Sequence, residues 1–282
     1  MKVAILVVLY DKQVDDSSTI KTLLDAELKD AMIVVHNNGP VSISISQDLS
    51  NKFSLFNTSI SLVNCINNKP LSILYNDFIS TYSYFDKFIL LDDDSEVTSS
   101  FINALYEDDY DLEIPKIVSR SDEVTYYPLS NGKVITHDGF IPVAGTHSIG
   151  SGLMFTNRFV SIFNKHNMKL IDENYALYGV DVSLFRRMWY LNSLGEVFKM
   201  KTSSTIIHSL SRTEQKQSTF RHTERLIDYA ISVRRYPSIR AYASFIKKGL
   251  KQLVKFKFKD FTLMCSSFIS GVHPRSKSWN KS

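Results

Sequence analysis

"FILLDDDSE" (Phe88–Glu96) runs four apolar residues straight into three consecutive aspartates. The apolar half reads as a buried strand. The carboxylates at its end repel one another unless water, basic side chains or a metal compensates them. What precedes this stretch sets the fold. Val3–Tyr10 and Met32–His36 are short β-branched apolar runs. Between them, Ser18–Asp30 places Ile20, Leu23, Leu24 and Leu28 at helical spacing, with Ser17 or Ser18 as cap. Strand, helix and strand in that order build a parallel sheet. Ser59–Asn64 reads as a third strand, Lys69–Tyr82 as a helix opened by Pro70, and Lys87–Leu91 as the next strand.

In such α/β folds ligands bind beyond the carboxyl ends of the strands. Those ends carry Tyr10-Asp11, His36-Asn37-Asn38-Gly39 and Asp92-Asp93-Asp94. Further on, Ile114–Ser119 reads as a strand, Tyr126–Ile141 as a hairpin turning at Asn131-Gly132, and Gly150–Phe155 as a small-residue bend entering an apolar segment. Asn157–Lys165 and Val182–Leu191 read as helices, Thr205–His208 as a last strand, and Thr219–Arg235 and Ser238–Val254 as two more helices. "KFKFK" (Lys255–Lys259) alternates and predicts an extended segment.

The 282 residues are 44% hydrophobic and 22% charged, a globular composition. Cys65 and Cys265 match neither a zinc pattern nor a disulfide framework and fit a reducing compartment. The first apolar run ends at Asp11 without a small-residue cleavage site, so a core strand is expected there, not a signal peptide. No apolar run approaches the roughly 18 residues that cross a bilayer. Charge is unevenly spread: residues 1–210 hold 17 basic and 25 acidic side chains, residues 211–282 hold 16 and 4. The expected organisation is an α/β domain over 1–210 and a basic helical tail over 211–282 that meets something anionic. Ile246, Leu250, Leu253 and Val254 share one helical face, with Lys247, Lys248 and Lys251 towards the other. Lysine stems with interleaved aromatics suit an anionic membrane surface. No nucleic-acid-binding pattern accompanies the charge, and nucleic acid is not expected as a partner.

In their order these segments resemble the inverting family-two glycosyltransferases of the GT-A fold, and among them the bacterial rhamnosyltransferase-like branch that builds O-antigen and capsule. The resemblance covers roughly residues 3–210. It implies a nucleotide-binding half with a mixed central sheet, and a donor sugar carried on UDP or dTDP. In "LLDDDS" the family's Leu-Asp-x-Asp motif assigns Asp92 and Asp94 to Mn²⁺ or Mg²⁺. Hard cations take oxygen ligands and share their shell with substrate phosphates. Asp93, read as pointing the other way on extended backbone, is assigned to the sugar or ribose. By the same resemblance His36, Asn37, Asn68 and Asn76 line the donor pocket, and Tyr10 joins them by its place at the end of the first strand. His36 stands where the family has aspartate, and Pro70 where it has glycine.

The acceptor side is carried by "GSGLMF" and "DENYALYGVDVSLFRR". The resemblance implies that Gly152 forms the bend, that Asp181 at a helix N-terminus is the catalytic base, and that Arg187, or Arg186, is the helix arginine. A base must take the acceptor hydroxyl's proton, and a helix start favours its ionised form. Ser183 stands where relatives often have a second acid. The resemblance also implies that His208 reaches the metal or the diphosphate; the polar Ser211–Phe220 stretch is expected to form a lid, and the expected acceptor is a saccharide on a lipid carrier. That places the protein in the bacterial cytoplasm, at the inner face of the membrane. Two other readings stay open: a metal-dependent nucleotidyltransferase, for which "LYDKQVDD" lacks a Gly-rich phosphate loop, and a non-catalytic scaffold or membrane-docking protein on the same fold. Without a metal, the acidic triplet reads as a turn before a helix cap at Ser95-Glu96.

Overall fold

β1 (Val3–Leu9) is apolar throughout because both its faces are covered. It pairs in parallel with β2 (Ala31–Asn37) and β4 (Lys87–Asp92), and β2 pairs in parallel with β3 (Ser59–Asn64). The register aligns their carboxyl ends: Leu9 faces Asn37, Val8 faces Asp92 and Asn37 faces Asn64. The later strands are short. They are β5 (Glu96–Val97), β6 (Leu112–Glu113), β7 (Lys116–Ser119), β8 (Thr125–Tyr127), β9 (Leu129–Ser130), β10 (Lys133–Val134), β11 (Gly139–Phe140), β12 (Thr146–His147), β13 (Met154–Thr156), β14 (Met200–Thr202) and β15 (Thr205–His208). The helices are α1 (Ser18–Asp25), α2 (Gln47–Ser54), α3 (Leu71–Thr81), α4 (Ser99–Leu105), α5 (Asn157–Lys165), α6 (Val180–Ser193), α7 (Thr219–Arg235), α8 (Ile239–Val254), α9 (Phe258–Ser270) and α10 (Pro274–Trp279).

This computed structural model describes residues 1–210 and 218–280. By packing, the chain forms two units. The first takes Met1–Asn68, Asn76–Leu170 and Arg187–Glu214; the second takes Lys69–Tyr75, Ile171–Arg186 and Gln215–Ser282.

In the first unit an eight-stranded mixed sheet has the order β11-β14-β6-β13-β4-β1-β2-β3. β13 runs antiparallel to β4 and β6, which ends the parallel part. One face buries Ile5, Val7, Ile33, Val35, Phe53 and Phe101. Phe88 stacks on Phe155 at 5.6 Å between ring centroids, and the aromatic chain continues through Phe159 to Phe163 and Phe198. A smaller sheet, β5-β15-β7-β8, receives the chain directly after the acidic triplet. The Asn131-Gly132 hairpin forms between β9 and β10, both turn residues having positive φ (50° and 81°), as a tight hairpin demands.

The second unit packs α7, α8 and α9 around Leu226, Ala230 and Met264, with Tyr229, Phe245, Leu263 and Phe268 against them. Its other segments are tied in by buried hydrogen bonds. The Tyr175 carbonyl accepts from the hydroxyls of Ser72 and Ser276, and the Tyr175 hydroxyl meets Ser232 at 3.0 Å. Asp172 bonds Arg235 and Tyr236 at the end of α7.

Two expectations need correction. Lys255–Lys259 is not extended. α8 ends at Val254, Phe256 takes a left-handed φ of 54°, and α9 starts at Phe258, so the alternation marks a turn between helices. Asp93 is not on extended backbone either, since it lies in the turn that follows β4. The lid expected over Ser211–Phe220 falls largely outside the described residues: 211–217 are not described, and from Thr219 the chain is α7. Among the described residues no helix is long and apolar enough to cross a membrane.

Candidate metal and donor site

The acidic triplet sits where β4 leaves the large sheet and the chain crosses to β5 in the small one. α1 holds that crossing in place. The Ser17 hydroxyl accepts the Ile20 N–H as the helix cap and donates to the Asp93 carbonyl at 2.9 Å. The Thr19 hydroxyl donates to the Asp92 carbonyl at 2.6 Å and accepts the Ser95 N–H at 2.9 Å. From the other side, the Ser151 hydroxyl accepts the Asp92 N–H at 2.9 Å and meets the Ser95 hydroxyl at 2.8 Å. β5 then pairs antiparallel with β15, with Ile207 opposite Glu96, which brings the next residue, His208, back to the turn.

Three candidate ligands therefore converge from two sheets. One ligand atom each from Asp92, Asp94 and His208 lies within 4.8 Å of the others. His208 Nδ1 is 3.2 Å from Asp94 Oδ1, and Nε2 is 3.7 Å from Asp92 Oδ2. The imidazole is buried, whereas the two carboxylates are partly open to solvent. The Ser95 hydroxyl contacts His208 Nδ1 at 3.0 Å and fixes the ring. The Asp92 carboxyl is open at one edge but closely surrounded. That desolvation, with the charges of Asp94 and Asp93, pushes it up to about 6, against the pull of His208. Two partly open carboxylates and a buried imidazole fit Mn²⁺ or Mg²⁺, and a cation would relieve the crowding that holds Asp92 high.

Asp93 is compensated differently. Its carboxylate pairs with Lys12 at 2.7 Å, and desolvation still holds its pKa up. Arg120 donates to the Asp94 carbonyl at 2.9 Å and pairs with Glu96 at 2.9 Å. Lys12, Thr19 and Arg120 are the neighbours that the motif reading missed. Each is joined to the acidic turn from a distant part of the chain, and no local pattern marks them.

Of the other expected donor residues, Tyr10, His36 and Asn37 stand at the ends of β1 and β2. Tyr10 is exposed, while His36 and Asn37 are buried. The Asn37 amide donates to the Val41 carbonyl and to Asn64 Oδ1, each at 2.7 Å, so this side chain braces the loop after β2. The Asn38 amide reaches Asn68 Oδ1 at 3.4 Å, and Asn76 is partly exposed on α3. Gly152 is a backbone requirement. Its φ is +89°, its N–H donates to the Leu90 carbonyl at 2.7 Å, and an added Cβ would lie 2.6 Å from Pro115 and 2.8 Å from Ile206. Arg187 donates to the Lys169 carbonyl at 2.5 Å.

In the second unit, Asp181 lies in the first turn of α6 and is partly exposed. Ser183 is buried and closes that turn, donating to the Val180 carbonyl at 2.6 Å and accepting the Asp172 N–H at 3.1 Å. Arg186 lies over the Tyr236 ring at 4.8 Å.

No protein-family model and no curated protein matches the sequence. Solved structures do. S. aureus TarS is similar at a TM-score of 0.55 and 11% identity, over 99% of this chain and 50% of that one. This chain thus spans half the length of that TarS chain. TarS 1-349 in complex with UDP-GlcNAc gives 0.52 and 14%, over 99% and 83%. GalNAc-T7 with UDP, GalNAc and Mn²⁺ gives 0.54 and 12%, over 94% and 56%. At such identities the likeness is one of architecture, and by that architecture the chain has the fold of the GT-A glycosyltransferases.

Proposed function

We propose that this chain is a metal-dependent inverting glycosyltransferase. In this reading it moves one sugar from a UDP or dTDP donor to a lipid-linked precursor of a bacterial surface polysaccharide. The carrying observation is the Asp92–Asp94–His208 cluster at the carboxyl edge of a GT-A sheet. Similar structures hold UDP, UDP-GlcNAc, and UDP with GalNAc and Mn²⁺. The sequence resemblance refines this to the rhamnosyltransferase-like branch and to O-antigen or capsule synthesis.

Asp92, Asp94 and His208 would hold Mn²⁺ or Mg²⁺, which supplies countercharge to the departing diphosphate. Tyr10, His36, Asn37, Asn68, Asn76 and Asp93 are assigned to the nucleoside and sugar, with Asn37 acting through the loop it braces. Asp181 accepts the proton of the acceptor hydroxyl as that oxygen bonds to the anomeric carbon. The carbon–oxygen bond to the diphosphate breaks with its electron pair leaving on the phosphate oxygen, and a single displacement inverts the centre. Gly152 shapes the acceptor-side bend and Arg187 anchors its helix. Residues 211–282 form the basic part that meets the anionic inner face of the bacterial cytoplasmic membrane.

Calorimetric titration with UDP and with dTDP, with and without Mn²⁺, tests the reading. We expect binding that requires Mn²⁺ and is lost in Asp92→Asn and Asp94→Asn. Equal affinity for the nucleotide with Mn²⁺ and with EDTA would overturn it.

A further inference from the structure

α8 has two unlike long faces. The inner one carries Phe245 and Gly249, and it is closed. Phe245 and Phe268 lie 4.8 Å apart, and a Cβ on Gly249 would come within 3.1 Å of Met264 and 3.3 Å of Phe261, so α8 and α9 approach closely there. The outer face carries Ile239, Ile246, Leu250 and Val254, spaced to form a straight ridge. They are 89%, 62%, 58% and 78% exposed. Arg240, Lys247 and Lys251 fall on the sector beside that ridge.

The turn after α8 extends the ridge. The Phe256 N–H donates to the Leu253 carbonyl and the Lys257 N–H to the Gln252 carbonyl, the paired bonds of a helix end whose left-handed position ordinarily holds glycine. Here that position holds phenylalanine, at φ 54°. Phe256 is 81% exposed and Phe258 57% exposed, their rings 6.2 Å apart. Backbone strain is thus accepted at a turn that sends two aromatic rings outward. Lys247, Lys251, Lys255 and Lys257 line one groove along α8 and its turn together with Lys248, whose ammonium also lies 4.1 Å over the Tyr229 ring. Across residues 236–280 the only acidic side chain is Asp260, and it is paired with His222 at 2.9 Å.

We propose that the outer face of α8 and the Phe256–Phe258 turn form a docking surface lying in the plane of an anionic lipid bilayer. The ridge and both rings enter the acyl boundary, and the flanking lysines sit among the headgroup phosphates. Charge complementarity selects this occupant. A second copy of the face would bring lysine rows against each other, and a nucleic acid would neutralise the lysines but leave the ridge in water. The inference deepens the proposed transfer to a lipid-linked acceptor, resting on it for its purpose but not for its test.

The test is co-sedimentation of the full chain with phosphatidylglycerol/phosphatidylcholine vesicles and with phosphatidylcholine vesicles alone. We expect binding about tenfold or more tighter to the anionic vesicles, weakened by salt. Ile246→Asp/Leu250→Asp should bind roughly tenfold or more weakly while keeping its far-UV spectrum. Phe256→Gly separates docking from folding: glycine suits the left-handed turn, so the melting temperature should hold or rise while vesicle binding falls several-fold. Three results would overturn the proposal. One is wild-type protein left in the supernatant, or ridge variants that sediment like wild type. Another is a solution dimer dissolved by Ile246→Asp/Leu250→Asp. The third is tight binding of a single-stranded oligonucleotide that Lys247→Glu/Lys251→Glu abolishes and the ridge variant keeps. Mn²⁺-dependent UDP binding without vesicles, measured in parallel, reports on the glycosyltransferase reading separately.

Discussion

The Asp92 carboxyl, raised to about 6, keeps its proton over part of the range in which a cation would compete for it. A metal needs the carboxylate, so Mn²⁺ affinity should be level above about pH 7 and fall by up to about tenfold per unit below pH 6. In Asp92→Asn that pH dependence should disappear along with most of the affinity. Titration calorimetry at several pH values checks both. Asp181→Asn tests the other end of the proposed chemistry: sugar transfer should drop roughly 10²–10⁴-fold while nucleotide affinity stays within about twofold. Wild-type turnover in that variant would dismiss Asp181 as the base. At this scale the sequence showed the potential metal ligands because charge and strand ends are local signals. It hid Lys12, Thr19 and Arg120, whose contacts with the acidic turn cross 76 residues of chain in the case of Thr19 and 26 in that of Arg120.

Elements explain why the acidic turn holds its shape. Ser17 caps α1 and also holds the Asp93 carbonyl. Ser17→Ala should cost about 1 kcal/mol of stability and weaken Mn²⁺ binding as well, although the residue touches no candidate ligand atom. Gly152→Ala meets both a positive φ and two crowded side chains. It should cost about 2–4 kcal/mol, read from urea midpoints. On α7 two buried acids behave oppositely. Burial, then the Glu224 charge, raises Asp228 well above the ordinary range. Its contribution to stability is full below the unfolded pKa near 4 and is lost as pH climbs towards the folded value. Asp228→Asn should therefore raise the melting temperature at pH 7. Burial works against Glu224 too, but His273 and Arg275 hold it low, so its contribution exists above about pH 4 and is lost on acidification. The strands β1 to β4 and the longer helices up to Val254 were legible because their apolar spacing is regular, whereas the short helices α2 and α4 and the two- and three-residue strands β5, β6 and β14 carry too few positions to show a period. α9 was not read either. The alternation of Lys255–Lys259 has the period of a strand but marks the turn into α9, whose Phe261, Met264 and Phe268 pack against α7 and α8.

For the whole molecule, ligand linkage gives the simplest check. If Mn²⁺ and UDP bind only the folded chain, saturating each at about 100-fold over its Kd should add about 2.7 kcal/mol per ligand, about 5.4 kcal/mol together. EDTA should return the melting temperature to that of the free protein. No shift with any nucleotide would argue for a scaffold on this fold. The basic tail was visible in the sequence as a charge imbalance and its apolar stripe as a helical face, but that the stripe stays bare was not, because a helical stripe looks the same whether it is covered or exposed. One further consequence follows from the way β5 and β15 meet. The candidate metal corner draws on Ser17 and Thr19, on Asp92–Ser95, on Ser151 and on His208. A ribosome-bound chain stalled before His208 emerges lacks the third ligand. Mn²⁺ capture is therefore expected late in synthesis, and nascent chains of graded length should show it switching on only once β15 is free.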